Sequence, residues 1–262
     1  VDSEPLTMAQ ALVPPKTDLE RVLRGWDVLR DYDLESTTLW DFEYQSPAVG
    51  SFGDPRFNGV TPAGVVTNLV RRYTRPGDLV VDPMSGSGTT QDIARALGRR
   101  VLAFDIAPRR RDIARNDARH LPIPNDSVDL YLIDPPYSDN IRYSEDPACL
   151  GRIPAATLRW LEVMEDVAEE LHRTLKPGRI LGWLISDEYR RGRFTPVGFH
   201  IFEMLGRYFE PVDVVCVVRR HDRSMNPMWE HRARKFGFYL RGFKYLFIVR
   251  KPQRQASEET VG

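Results

Sequence analysis

From Thr61 onward the apolar residues fall into two alternating rhythms. Short apolar runs bounded by turn residues predict buried strands at Leu79–Val81, Arg100–Phe104, Val128–Ile133, Ile180–Ile185, Val212–Val218 and Phe243–Val249. Between them, apolar residues spaced three and four apart predict helices over Thr61–Tyr73, Thr89–Leu97, Pro108–Arg115, Ala155–Leu175 and Pro196–Tyr208. Pro62 falls in the first turn of its helix, where proline is favoured, and Lys176-Pro177-Gly178 stops the long one. Strands that alternate with helices imply a mainly parallel sheet covered on both faces. No clear helix separates the last two strands, so they are expected to pair antiparallel at one edge of the sheet. Ahead of this block, Thr17-Asp18-Leu19-Glu20 reads as a capping box opening a helix to about Arg30. Residues 33–60 carry Gly, Pro, Ser and aromatic residues without a period and read as an extended arm.

The chain has 262 residues, 42% hydrophobic and 28% charged, which suits one α/β domain with an N-terminal extension. No apolar run approaches the ~18 residues of a membrane span. The first residues are polar and hold Pro5, Pro14 and Pro15, which does not read as a signal peptide. Cys149 and Cys216 are the only cysteines, so the expectation is a reducing cytoplasm, with neither a disulfide framework nor a Cys-rich zinc site. Formal net charge is zero, which argues against indiscriminate coating of nucleic acid. The distribution is more telling, with basic clusters at Arg109–Arg111, Arg190–Arg193, Arg219–Arg223 and Arg232–Lys235. Each cluster taken alone is either a solvated face or a contact surface.

Four constellations carry candidate chemistry. In Val80-Val81-Asp82-Pro83-Met84-Ser85-Gly86-Ser87-Gly88-Thr89-Thr90 an apolar strand enters a small-residue turn and then a helix. Such a turn lets backbone approach a ligand at the carboxyl end of a strand. Gln91 stands where the dinucleotide pattern requires its third glycine, and no Gly-Lys-Ser/Thr follows, so neither a nicotinamide cofactor nor a phosphate loop is expected. Asp105, before Ile106 at the end of the next strand, is placed to accept ribose hydroxyls, or else caps a helix. Asp117, before Ala118 and after a short third strand, could accept from an adenine amino group, although a plain loop acid is the stronger reading of that residue alone. The sharpest signal is Leu130-Tyr131-Leu132-Ile133-Asp134-Pro135-Pro136-Tyr137. Two prolines fix the backbone and lack N–H groups, so carbonyls before and within the pair are expected to point outward as acceptors. Asp134 and the Pro135 carbonyl could each take one N–H of an amino group conjugated to a ring. That pulls the nitrogen toward tetrahedral geometry and localises its lone pair, a catalysis of positioning and electrostatics. Tyr137 offers a face on which an extruded base can stack.

These four segments together resemble the amino-methyltransferase family that makes N6-methyladenine or N4-methylcytosine, chiefly in DNA. Asp82–Thr90 is similar to that family's cofactor loop, with Met84 where Phe is common, and Asp134–Tyr137 matches its Asp-Pro-Pro-Tyr motif. Asp105 and Asp117 fall in order where ribose and adenine contacts are expected. Phe57-Asn58-Gly59-Val60-Thr61-Pro62 resembles the element that helps hold the methionine end of the cofactor. The resemblance covers about residues 57–250. It implies a Rossmann-like methyltransferase fold with a mainly parallel seven-stranded sheet and an antiparallel edge strand. It implies S-adenosylmethionine as cofactor, held by Thr61, Pro62, Asp82, Pro83, Met84, Ser85, Gly86, Gly88, Thr89, Thr90, Asp105, Ile106, Asp117 and Ala118. It implies Asp134, Pro135, Pro136 and Tyr137 as the catalytic set. The organisation expected is an N-terminal helix and arm over 1–56, a catalytic domain over 57–251 and a disordered tail over 252–262.

The chain departs from the family pattern in lacking an obvious separate target-recognition domain. Three surfaces remain as candidates for nucleic acid: the loop 138–154 with Arg142, Tyr143 and Arg152; the Arg190–Phe194 segment with Arg191 and Arg193; and Arg219–Arg241, with Arg219, Arg220, Arg223 and Trp229 among interleaved aromatics. The last could instead pack its aromatics inward. The leading reading is a site-specific DNA methyltransferase of a restriction-modification type, adenine N6 ahead of cytosine N4, working without a metal, as a homodimer or with a modification-system partner. Alternatives are an RNA adenine or guanine amino-methyltransferase, an idle nucleic-acid-binding subunit, and a small-molecule or protein-glutamine methyltransferase. Asp134 argues against the protein-glutamine reading, because those enzymes favour Asn there.

Overall fold

The computed structural model describes residues 29, 31–42, 52–54, 56–57, 59–137, 143–220 and 226–253. The helix expected over 17–30 lies outside the described residues except at its end. In chain order the elements are β1 (Leu39–Trp40), α1 (Ala63–Tyr73), β2 (Leu79–Asp82), α2 (Thr89–Ala96), β3 (Arg100–Asp105), β4 (Ala114–Arg115) and β5 (Val128–Ile133). Then follow a 3-10 turn (Leu150–Arg152), α3 (Leu158–Thr174), β6 (Leu175–Ile185), β7 (Glu188–Arg190), β8 (Arg193–Thr195), α4 (Val197–Leu205), β9 (Glu210–Val218), α5 (Pro227–Phe236) and β10 (Phe243–Arg250).

The main sheet has 8 strands in the order β1-β9-β10-β6-β5-β2-β3-β4, and β7 and β8 form a separate hairpin. The pairs β2·β3, β2·β5, β5·β6, β3·β4 and β1·β9 are parallel. This is the Rossmann-like layout expected from the alternating pattern, with two corrections. The sheet has eight strands, because Leu39 and Trp40 in the arm pair with Cys216 and Val217. The antiparallel strand is interior rather than at the edge: β10 runs against both β6 and β9.

The central strands are apolar throughout because both faces are covered. Val80, Leu130, Leu132, Leu246 and Ile248 point to the side packed by Val65, Val66 and Leu69 of α1 and Ile93 of α2. Their alternates Val81, Tyr131, Ile133, Phe247 and Val249 point to the side packed by Trp160, Met164 and Leu171 of α3 and Ile201 of α4. Strand geometry with period two thus supplies two cores from one sheet.

Three boundaries move for physical reasons. The long helix begins at Leu158 rather than Ala155, because the Thr157 hydroxyl accepts from Trp160 N and caps it. It ends at Thr174, and Lys176-Pro177-Gly178 lie within β6 as an irregularity between the Val128↔Leu175 and Leu130↔Ile180 pairs, with Gly178 at φ 76°. The helix expected over Pro108–Arg115 is a turn that leads into β4. There Arg110 is drawn inward to Asp92 and Asp112, at 2.7 and 2.8 Å, and that ion network rather than a helical repeat sets the backbone. A helix the pattern did not predict, α5, has Asn226 accepting from Met228 N, Pro227 in its first turn and Gly237 closing it at φ 66°.

Candidate active site

The chain runs from β2 to β3 and β4 on one side, then returns through β5 and β6 on the other. The carboxyl ends of β2 and β5 therefore flank the switch point, where sheets of this kind bind ligands. A cavity of about 620 Å³ opens there.

Its floor is the turn after β2. Met84 N donates to Asp82 Oδ1 (3.0 Å), Ser85 Oγ to the Asp82 carbonyl (2.9 Å), and Gly86 N to Asp105 Oδ2 (2.9 Å). Gly88 sits at φ 84° as the N-cap of α2, and a Cβ there would lie 2.5 Å from the Arg110 guanidinium. Both the left-handed backbone and the close approach call for glycine. Thr61, Asp82, Pro83, Met84, Ser85, Gly86, Thr89, Thr90, Asp105, Ile106, Asp117 and Ala118 all line the cavity. Pro62 and Gly88 do not: they are the N-caps of α1 and α2 and shape the wall from behind. Ser87 of the same turn lines it too, and Ala107 and Asn116 join the lining beyond the residues expected to hold the cofactor.

Four carboxylates, Asp82, Asp105, Asp117 and Asp134, give the cavity its electrostatics. Burial, above all, pushes Asp82 up to about 7, and the charges of Asp105 and Asp134 add to the rise, while hydrogen bonds from Thr90 and Met84 N oppose it. Asp105 also accepts from Ala107 N (2.9 Å). Burial raises Asp117 as well, but the hydrogen bonds and charge of Arg119, whose Nη2 lies 2.6 Å away, outweigh it and hold Asp117 below its ordinary value.

At the end of β5, Asp134, Pro135, Pro136 and Tyr137 line the same cavity. Thr61 Oγ1 donates to Asp134 Oδ2 (3.2 Å). The Lys244 ammonium bonds both carboxylate oxygens, at 2.8 and 2.6 Å, and lies 5.7 Å from the centre of the Tyr137 ring. Not every carbonyl of the motif points outward: Trp160 Nε1 donates to the Pro136 carbonyl (3.2 Å) and ties it to α3. Lys244 was missed in the sequence. Its signal was a lone lysine inside the apolar strand Phe243–Val249, a position that demands an anionic partner.

Residues 14–116 match the model of a family described as DNA methylase, N6/N4 type. The Type II methyltransferase M.BglII of Bacillus subtilis is 29% identical over 146 residues, 53% of this chain and 38% of that protein. The Type II methyltransferase M.HinfI of Haemophilus influenzae is 35% identical over 77 residues, 29% of this chain and 21% of that protein. Over these segments the chain is similar to DNA amino-methyltransferases. Its matches span well under half the length of those two relatives. Among solved structures the [4+2]-cyclase SpnF aligns over 91% of this chain and 97% of its own, with TM-score 0.50 and 13% identity, a likeness of fold alone.

The cavity suits S-adenosylmethionine, the cofactor that the resemblance implies. That molecule carries a sulfonium and an ammonium, and the lining offers the carboxyl groups of Asp82 and Asp105. A Cβ at Gly86 would lie 2.8 Å from the Phe57 ring, so glycine there lets that wall of the cavity approach the turn.

Around the cavity the basic and aromatic segments take distinct places. Arg142 and Arg223 lie outside the described residues. Tyr143 is a cavity wall, stacked on Phe57 at 5.9 Å. Arg219 also lines the cavity. Arg220 makes two 2.6 Å hydrogen bonds to Asp41, tying the end of β9 to the arm. Arg191 and Arg193 are exposed at the β7–β8 turn, with Arg191 at φ 50°. Arg232 stacks on Trp229, 4.9 Å away, on α5. The hairpin is joined to residues 226–242 of the 219–242 excursion by Tyr189 on Phe238 (5.3 Å) and Arg241 over Phe194 (5.4 Å). Phe236 is 62% and Tyr239 85% exposed, so part of the excursion's aromatic set faces outward.

Proposed function

We propose that this chain methylates an exocyclic amino group of a DNA base in a site-specific manner, adenine N6 ahead of cytosine N4. The observation that carries the reading is the shared cavity: Asp134-Pro135-Pro136-Tyr137 and the small-residue turn 82–90 open onto one space at the sheet's switch point. S-adenosylmethionine, when bound, supplies an electrophilic methyl group on a sulfonium. Asp82 and Thr90 hold its methionine end, Asp105 its ribose and Asp117 the amino group of its adenine. Asp134 accepts an N–H of the target amine. The Pro135 carbonyl accepts the other, and Tyr137 stacks the base. The hydrogen bond to Asp134 strengthens as the nitrogen becomes tetrahedral and positive, so it acts chiefly in the transition state.

The platform formed by the β7–β8 hairpin and α5 stands beside the cavity, since Arg219 and Lys244 at the feet of the excursion line it. With Arg191, Arg193 and Trp229 it is the surface we assign to the nucleic-acid strand. Residues 57–251 are taken as the catalytic unit.

The test is incubation with labelled cofactor and either DNA or RNA, then mass spectrometry of the nucleosides. Label in N6-methyladenine or N4-methylcytosine of DNA is expected. Label confined to RNA would move the substrate to RNA, and label in neither polymer would overturn the reading.

A further inference from the structure

Lys244 holds the place that the proposed target amine needs. Its ammonium is bonded to both Asp134 oxygens and lies over the Tyr137 ring. A base stacked on Tyr137, with its amino group on Asp134, must use the same two partners. The ammonium and the amino group cannot both stand there. Electrostatics makes the same demand. Methyl transfer leaves a positive charge on the amine, and a carboxylate already neutralised at ion-pair distance stabilises that charge poorly.

Lys244 cannot simply let go. The side chains of Lys244 and Asp134 are 13% and 10% exposed, and separating such a pair without a replacement leaves charge uncompensated in a poorly hydrated place. The replacement anion must therefore arrive with the base. Every nucleotide in a polymer brings one, its phosphodiester. Lys244 is well placed to meet it. It is the second residue of β10, directly after the 219–242 excursion returns to the sheet at the cavity. Its flexible stem and three rotatable donors let the ammonium swing while the backbone stays in the ladder opposite Val217.

On the methyltransferase reading above, we infer that Lys244 trades Asp134 for a phosphodiester oxygen of the target strand as the base enters. Charge balances throughout. Lys244 and Asp134 neutralise each other before entry; afterwards Lys244 pairs with phosphate and Asp134 with the amine. Asp134 thus becomes available only to a base carried on a phosphate backbone, so the site takes a polynucleotide and discriminates against a free nucleoside. Lys244 is a positioning residue, acting through Asp134.

The test uses the full chain, saturating cofactor and a DNA oligonucleotide whose methylated position has been mapped. Single-turnover transfer is compared on this DNA and on versions with one uncharged methylphosphonate linkage, 5′ or 3′ of the target nucleotide. In wild type and Lys244→Arg, one of the two neutral linkages should slow transfer by about tenfold or more, the scale of one charge-assisted hydrogen bond. In Lys244→Gln, and in Lys244→Met as a second neutral variant, the same linkage should change the rate by less than about twofold. Equal sensitivity in the neutral variants and wild type would overturn the exchange. So would a wild type indifferent to both linkages, a result that needs no variant to fold. Either outcome leaves the methyltransferase reading standing, whereas a wild type that methylates no oligonucleotide removes both.

Discussion

In the proposed reaction Asp134 stands where charge develops and Asp82 where the cofactor's cation is to be held, so single substitutions separate chemistry from binding. Asp134→Asn keeps the shape and one acceptor oxygen but loses the negative charge. Single-turnover transfer should fall on the order of 100-fold or more, with little change in affinity for S-adenosylhomocysteine by calorimetry. Near-normal transfer would mean the motif serves only the fold. Asp82 gives a pH prediction. Its folded value, about 7, lies above that of an unfolded chain, so the folded protein binds a proton the unfolded chain releases. Its contribution to stability is therefore largest in acid and declines as pH rises to about 7. Cofactor binding has the opposite sign, because a cation favours the ionised carboxylate. Affinity for the cofactor should climb between about pH 6 and pH 8, with proton release visible as a buffer-dependent binding enthalpy, and Asp82→Asn should flatten both. A flat profile in the wild type would count against Asp82 as a cation contact.

At the scale of elements, the turn before β4 is held by ions instead of a helical repeat. Arg110 bonds Asp92 (2.7 Å) and Asp112 (2.8 Å), Arg95 also bonds Asp112 (2.7 Å), and Gly53 N reaches Asp92 Oδ2 (2.8 Å). These contacts fasten the arm and the β3–β4 turn to α2. The Arg110, Asp92 and Asp112 side chains are 13%, 9% and 7% exposed, so removing the cation leaves two buried carboxylates without their main partner. Arg110→Ala should cost about 3–5 kcal/mol in urea unfolding. A loss below about 1 kcal/mol, the level of a surface pair, would show the network to be well hydrated. Read in sequence, Arg109-Arg110-Arg111 looked like one basic cluster. In the fold, Arg109 stacks over Phe57 at 5.3 Å while Arg110 is a structural cation.

At the scale of the whole molecule, the platform beside the cavity makes a prediction about binding. Arg191 and Arg193 are exposed at the hairpin turn, and Arg220 is occupied by Asp41. Replacing Arg191 and Arg193 together by Ala should weaken DNA binding alike for all sequences and reduce the slope of log affinity against log salt by about two. The same treatment of Arg220 should lower thermal stability more than the salt slope. An unchanged slope after the hairpin substitutions would put the strand elsewhere on the surface.

The alternation of strands and helices, apart from the turn at 108–115 and the unforeseen α5, was legible in the sequence, as were the double-faced sheet and the two glycine- and proline-marked turns of the cavity. Each is dictated locally: a buried parallel strand must be apolar on both faces, a left-handed residue calls for glycine, and a chain can extend a helix or strand only where its period persists. The local pattern had no means of assigning partners. Leu39 and Trp40 extend the sheet only because β9 leaves an edge open to them. Lys176-Pro177-Gly178 stays in β6 because the ladder resumes at Ile180. Arg110 and Arg220 spend their charge on Asp92, Asp112 and Asp41, far from them in sequence or turned inward by the fold. Above all, Lys244 and Asp134 are 110 positions apart. Only the antiparallel insertion of β10 beside β6, itself beside β5, brings that ammonium to that carboxylate. Charge pairing in a cavity is a property of distance in space, and tertiary structure decides it.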